Sequence, residues 1–363
     1  MLPYLLSRRQ VFRLTFGSAL GLGLGTQRIW AAAAEAVAGW PDGQPVKVIV
    51  PGAPGNLAYN MMRFFLAERL GAAFGVVVDV VDRANRNYAA GAEPGVAVDA
   101  PDQLRDPEGV ADLLKAAPDG HTLAFADISQ LVRASYLGKT AYDLTRDFAP
   151  VASLFAAPVL LLATSALPAQ DAPDFKAWLA RAKQKPGAIR WAARGSASLG
   201  HLILEQVKIA AGVNIAHVPY PDGGGAIIAD ALAGKFDLLA VPAGPALIRP
   251  IKDGRLRPLA VSAPARLDKQ LPNVPTLAEL GLASANLSSI YGFFAPAATP
   301  QPILQRLTQV VNAQSRDAEV RHHIDAQGLV AVSGSAADFL RVITEMAGNI
   351  HAALQNAGIK TAA

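Results

Sequence analysis

Short apolar runs that end in glycine- and proline-rich turns, each followed by an amphipathic stretch, constrain this chain more than any other feature. Val46-Lys47-Val48-Ile49-Val50 is one such run, and Pro51-Gly52-Ala53-Pro54-Gly55 ends it. Met61, Met62, Phe65, Leu66 and Leu70 then recur close to helical spacing over 57–70, before a second buried run at 76–81. Strand, turn, helix and strand in that order make a parallel crossover unit. The pattern returns with a helix over 109–117, the stop Pro118-Asp119-Gly120 and a strand over 121–126. Further on, helices are expected at 172–185, 201–211 and 223–233, with strands at 189–193, 215–218 and 236–241. Helix dominates again from 302 onward. This alternation predicts an α/β architecture with parallel sheets. Ligands of such sheets sit outside the carboxyl ends of the strands, on the turns that lead into helices.

Two features divide the chain. Residues 151–163 form a long apolar stretch interrupted by Pro158, long enough to leave one lobe and enter another, and a strand over 256–262 is read as the return. A chain of 363 residues allows roughly two domains of the usual size. The segment 92–109 is rich in Pro, Asp and Glu, lacks periodicity and reads as an exposed loop.

The N-terminus reads as an address. Ser7-Arg8-Arg9-Gln10-Val11-Phe12 resembles the twin-arginine export motif, and a glycine-rich apolar run of 12 residues follows it, too short to span a bilayer core of about 30 Å. Small residues in Ala31-Ala32-Ala33-Ala34-Glu35-Ala36 suit signal peptidase, so cleavage is expected near 33–36 and a periplasmic, soluble mature protein is expected after it. Arg8, Arg9, Arg13 and Arg28 also supply most of the net charge of +4; without residues 1–36 the chain carries 29 basic and 28 acidic residues. No basic stripe with interleaved aromatics remains, so no nucleic-acid partner is expected. The absence of cysteine excludes disulfides, zinc ribbons, iron–sulfur clusters and thiol nucleophiles. The six histidines show no metal-ligand spacing, and neither a metal nor a cofactor is expected.

Three turns carry the chemistry. In the first, Gly52, Ala53, Pro54, Gly55 and Asn56 leave the backbone nearly bare ahead of a helix N-terminus, which favours anions and carboxylates. The second, Arg194-Gly195-Ser196-Ala197-Ser198-Leu199-Gly200-His201, offers two hydroxyls, backbone N–H groups and a guanidinium suited to a carboxylate. The third, Tyr220-Pro221-Asp222-Gly223-Gly224-Gly225, opens another helix; Tyr220 is placed to stack on a ligand and Asp222 to cap the helix. Ser196-Ala197-Ser198-Leu199-Gly200 is also one residue away from the Gly-x-Ser-x-Gly nucleophile elbow. A secreted serine hydrolase using Ser198, with a base among His217, His322, His323 and His351, is therefore an alternative. Bare turns facing a cleft suit binding better than catalysis.

An ordered succession of segments resembles the periplasmic solute-binding receptors of tripartite tricarboxylate transporters, the Bug family. It includes Ala117-Pro118-Asp119-Gly120-His121-Thr122-Leu123, Asp143-Leu144-Thr145-Arg146-Asp147-Phe148-Ala149-Pro150-Val151, the stretch 187–202 and His217-Val218-Pro219-Tyr220. Leu232-Ala233-Gly234-Lys235-Phe236-Asp237-Leu238, Gly254-Arg255-Leu256-Arg257-Pro258-Leu259-Ala260-Val261 and Pro272-Asn273-Val274-Pro275-Thr276 continue it. The likeness spans about residues 40–360. It implies a type II periplasmic-binding fold, two α/β lobes joined by two crossing strands with a ligand cleft between them. The lobes would be 37–155 plus 259–363, and 156–258. It also implies a small organic acid as solute, lobe closure on it, delivery to membrane permease subunits, a monomer and no enzymatic activity. A sensor feeding a membrane kinase would use the same cleft.

Carried over by position, the ligand-binding turns are 52–59, 195–200 and 220–224. Four departures from the family pattern stand out. Ala58-Tyr59 stand where the family soon reaches Thr-Asp, so Tyr59 would favour a flat or aromatic solute. Ser196-Ala197-Ser198-Leu199-Gly200 replaces a more hydroxylated sequence, while Arg194 is added. Asp127 stands where Thr or Ser is usual and would disfavour a second carboxylate unless paired with Arg194. Asp82-Arg83-Ala84-Asn85 and the 92–109 loop replace a glycine-rich segment.

Overall fold

A computed structural model describes residues 39–51, 56–83, 108–138, 140, 142–220 and 224–361. The export segment, Gly52 to Gly55, Asp222, Gly223 and most of the expected 92–109 loop lie outside the described residues.

The first sheet begins as the sequence indicates. β1 (Val46–Pro51) is almost wholly buried, as a strand covered on both faces must be. The Asn56 side chain caps α1 (Leu57–Met61), a π-helical turn (Met62–Leu66) follows, and α2 (Ala67–Phe74) ends at Gly75 in the left-handed conformation. β2 (Val78–Arg83) returns parallel to β1. α3 (Glu108–Leu114) and β3 (Thr122–Asp127) come next, with β3 parallel to β1. β3 then runs directly into α4 (Ile128–Tyr136).

Pro158 divides the long apolar stretch where expected. β4 (Phe148–Ala157) belongs to the first sheet and β5 (Val159–Ala163) to the second. Proline has no N–H to give a ladder, so pairing stops there and the chain changes partners. The second sheet is completed by β6 (Arg190–Arg194), β7 (Ala216–Tyr220), β8 (Leu238–Pro242) and β9 (Arg257–Ser262), in the order β7-β6-β8-β5-β9. Its helices are α5 (Phe175–Gln184), α6 (Leu199–Ala211), α7 (Gly224–Leu232) and α8 (Pro245–Lys252).

β9 does not return to the first sheet: it pairs antiparallel with β5, and the boundary expected between 258 and 259 falls inside it. The return runs through 263–288 to β10 (Ser289–Pro296), fastened by Asn286, whose amide accepts from Ala263 N–H at 3.1 Å and donates to Ala263 O at 2.8 Å. After α9 (Gln301–Arg316) and α10 (Ala318–Ala326), the short β11 (Val330–Ala331) completes the first sheet in the order β11-β4-β10-β3-β1-β2. Both sheets are mixed rather than parallel, because β10 runs antiparallel to β3 and β4, and β5 antiparallel to β8 and β9. The strands that carry the chain across, β4 and β5, meet antiparallel neighbours in their sheets. The last helix, α11 (Ala336–Asn356), packs on β4 and α4 and also on α6, so one apolar core joins the two layers.

Candidate functional site

The turn between β6 and α6 is the best-defined part of the expected site. Arg194 ends β6 and is only 6% exposed. Ser198 is the N-cap of α6: its Oγ accepts from the His201 N–H at 3.3 Å, and its own N–H donates to Gly195 O at 3.1 Å. The Ser198 hydroxyl keeps its own proton to donate. Ser196 is exposed at the tip. Ala197 is buried with φ +65°, a left-handed conformation that costs a residue with a Cβ about 1–2 kcal/mol. Gly200 explains how α6 comes so close to the sheet: a Cβ there would lie 2.7 Å from Ala240 O on β8. Arg194, Ser198 and Gly200 line a crevice with Val159, Ala240 and Pro242. It therefore opens at the carboxyl ends of β6 and β8, beside the crossing at Pro158. The first turn of α6 contains no acidic residue, so its positive end is not neutralised from within the helix.

Two side chains hold Ala197, one from the start of α6 and one from α4. His201 Nδ1 accepts from the Ala197 N–H at 3.2 Å, and the Arg133 Nη1 on α4 donates to Ala197 O at 3.0 Å. The His201 ring stacks on His217 of β7, with centroids 4.2 Å apart. Its Nε2 lies 3.6 Å from Glu205, which also pairs with Lys208 at 2.8 Å. Burial, the larger cause, and the Lys208 charge push His201 down to about 4; burial and His201 push His217 down to about 4 as well. No histidine ring among the described residues hydrogen-bonds the Ser198 hydroxyl, which serves α6 as a cap instead of pairing with a base.

On the first sheet, Asn56 Oδ1 accepts from the Tyr59 N–H at 2.7 Å and so starts α1. The Tyr59 ring packs edge-on against Phe64, centroids 6.2 Å apart. Asp127 is spent largely on its own helix: Oδ1 accepts from both the N–H and the Oγ–H of Ser129 at 2.8 Å. Tyr220, read as a stacking residue, has its hydroxyl donated to Asp230 of α7 at 2.8 Å and its ring set against Phe236. Burial first and that carboxylate second push its phenol up to about 12. Gly224 opens α7. Arg194 and Ser198 thus line one crevice, and Arg133 ties the intervening Ala197 to α4. Among the described residues no group of three or more His, Asp or Glu is arranged to hold a metal ion, and no helix is long and apolar enough to cross a membrane.

Sequence reasoning passed over Arg133. A lone arginine on a helix reads as solvated, yet this one is 0% exposed. His201 entered only as the last residue of the Arg194–His201 turn, and nothing local signalled that its ring folds back onto Ala197.

Comparison with known proteins agrees with this architecture. BugT of Bordetella pertussis is 28% identical over 291 residues, covering 80% of this chain and 82% of that protein. A solved structure described as a periplasmic transporter is 28% identical with a TM-score of 0.62, covering 87% of this chain and 98% of its own. Rpa4515 of R. palustris, solved with adipate, is 25% identical with a TM-score of 0.63, covering 88% of this chain and 99% of its own. The family model for the tripartite tricarboxylate transporter family receptor matches residues 109–359, more than half of the sequence. The chain belongs to that family of periplasmic solute-binding receptors, which are not enzymes.

Proposed function

We propose that this protein captures a small organic carboxylate between its two lobes and delivers it to the membrane subunits of a tripartite transporter. The observation that carries the reading is the α6 N-terminus, capped by a neutral serine, beside a buried arginine at the carboxyl end of β6. A carboxylate there meets the positive end of a helix dipole, the Ser198 hydroxyl and the Arg194 guanidinium together. In this reading the solute shifts the population toward the closed form. Tyr59 supplies packing from the first sheet.

The adipate held by Rpa4515 supports a linear aliphatic dicarboxylate as the first ligand to try. In this reading residues 1–36 are a cleaved twin-arginine signal and the mature protein acts in the periplasm as a monomer. Titration calorimetry of the mature chain against adipate, malate and simple monocarboxylates tests it. Binding by at least one acid, weakened at least about tenfold in Arg194→Met, is the expected result. No heat from any acid at millimolar concentration would remove the reading.

A further inference from the structure

Ala197 is the point where both layers of the molecule meet the solute turn. Its carbonyl is held by Arg133 of α4, a helix packed on the first sheet, at 3.0 Å. Its N–H is held by His201 of α6, within the second lobe, at 3.2 Å. The residue between them is buried, non-glycine and left-handed, with φ +65°. A backbone in that region persists only where its surroundings over-determine it, and such positions gather at ligand clamps and switches.

Arg133 is unusual for a structural residue. It is completely buried, and its Nε also donates to Ser129 O, the carbonyl one turn back on its own helix, at 3.1 Å. One guanidinium therefore spans from the α4 backbone to the turn. A methionine or leucine would fill that volume without bringing a charge out of water, so packing alone does not account for an arginine there. His201 is equally specific in its chemistry. To accept from Ala197 its Nδ1 must be unprotonated, which places the proton on Nε2, the atom facing Glu205.

We propose that Arg133 and His201 are positioning residues for the solute turn: they hold the Ala197 peptide from its two sides, fix Ser196–Ser198 for carboxylate binding, and tie that turn to the first-sheet helix α4. Neither touches the solute. Their contribution is preorganisation, so removing them loosens the turn in the free protein and lowers affinity by the cost of re-ordering it. The affinity part of this rests on the carboxylate-receptor reading, whereas the ordering of the turn does not.

The test compares conservative with non-conservative variants in two readouts. In His201→Asn the amide oxygen can accept from the Ala197 N–H where Nδ1 did, while in His201→Leu nothing can. Arg133→Lys keeps a donor and Arg133→Met removes it. Amide hydrogen exchange of the ligand-free protein should show Ala197 protection lost by about tenfold in His201→Leu, restored in His201→Asn, and unchanged deep in α6 and β8. Adipate titration should show affinity falling about tenfold in His201→Leu and Arg133→Met and recovering in the Asn and Lys variants. Equal Ala197 protection in wild type and His201→Leu overturns the proposal, as does faster exchange with no change in affinity. If wild type fails to bind adipate, the receptor reading suffers, and the exchange data alone then decide whether the two side chains hold the turn.

Discussion

Two strand-to-helix junctions in this protein solve one problem differently. At the end of β3 the chain enters α4 through a single residue, Asp127, whose carboxylate fills the helix N-terminus by accepting from Ser129 twice at 2.8 Å. At the end of β6 the chain inserts Gly195-Ser196-Ala197-Ser198 before α6 and caps it with a neutral hydroxyl. Both caps satisfy the orphan N–H groups that any helix start leaves. Only the second leaves its helix start without a resident negative charge, which makes it the more suitable of the two for an incoming anion. The comparison supports the proposal of an anion site on the second sheet and shows Asp127 capping its own helix.

Making the two junctions alike is the strongest way to break that comparison. Ser198→Asp keeps a good cap but sets a carboxylate where the solute's would lie; at about 4 Å and an effective dielectric constant near 20 the repulsion is about 4 kcal/mol. Calorimetry should show adipate affinity lost by about a hundredfold or more, while the melting midpoint of the free protein stays within a few degrees.

Acid should act on the second junction next. His201 and His217 are held near 4 when folded and titrate near 6.5 when unfolded. Between those values the unfolded chain binds protons that the folded chain refuses, so stability is full above pH 6.5 and falls as the pH drops toward 4. The loss is about 3 kcal/mol for His201 taken alone and less for the partly exposed His217. Urea unfolding at pH 7 and pH 4.5 measures it, and the slope should be shallower in His201→Asn.

Glycine placement sharpens the contrast at a smaller scale. Gly200→Ala puts a Cβ 2.7 Å from Ala240 O, so α6 must shift, at about 2 kcal/mol and with weaker adipate binding. Gly225→Ala on α7 meets nothing within 4 Å and should be neutral or stabilising by up to about 1 kcal/mol. Chemical unfolding of the two variants side by side reads the difference. Smallest of all, Asp127→Ala should cost about 1 kcal/mol by losing a cap, and Asp127→Asn only a few tenths, with adipate affinity nearly unchanged in the latter.

Most of the second lobe was legible because its turns are punctuated. Pro158, Gly212 and Gly234 mark where elements stop, and β5 and β8 are short apolar runs. Helix α4 was not legible: no glycine or proline separates it from β3, and Asp127 alone makes the bend. β10 was hidden for another reason, since Gly292 interrupts its apolar pattern and its partners β3 and β4 are more than 130 residues away in sequence. Several segments that carried the family resemblance turn out to shape the fold. Asp143 Oδ1 collects the Thr145 and Arg146 N–H groups at 2.9 and 3.1 Å, forming the turn that feeds β4. His121 is fastened just before β3, with Asp119 accepting from its N–H at 2.9 Å. Tyr220 belongs with these, because its phenol serves Asp230. The residue that sequence could not supply, Arg133, depends on α4 reaching the Ala197 turn 64 positions away in sequence, and His201 on its ring folding back onto its own turn.

The central claim is that a carboxylate is received at the N-terminus of α6 and not at that of α4. Backbone amide chemical shifts of the mature protein, followed during titration with adipate, test it most directly. The account predicts the largest changes at Ser196, Ala197, Ser198, Leu199 and Gly200, with the amides of Ile128, Ser129 and Gln130 shifting little. Saturable shifts centred on Ile128–Gln130, with Ser196–Gly200 unmoved, would contradict it.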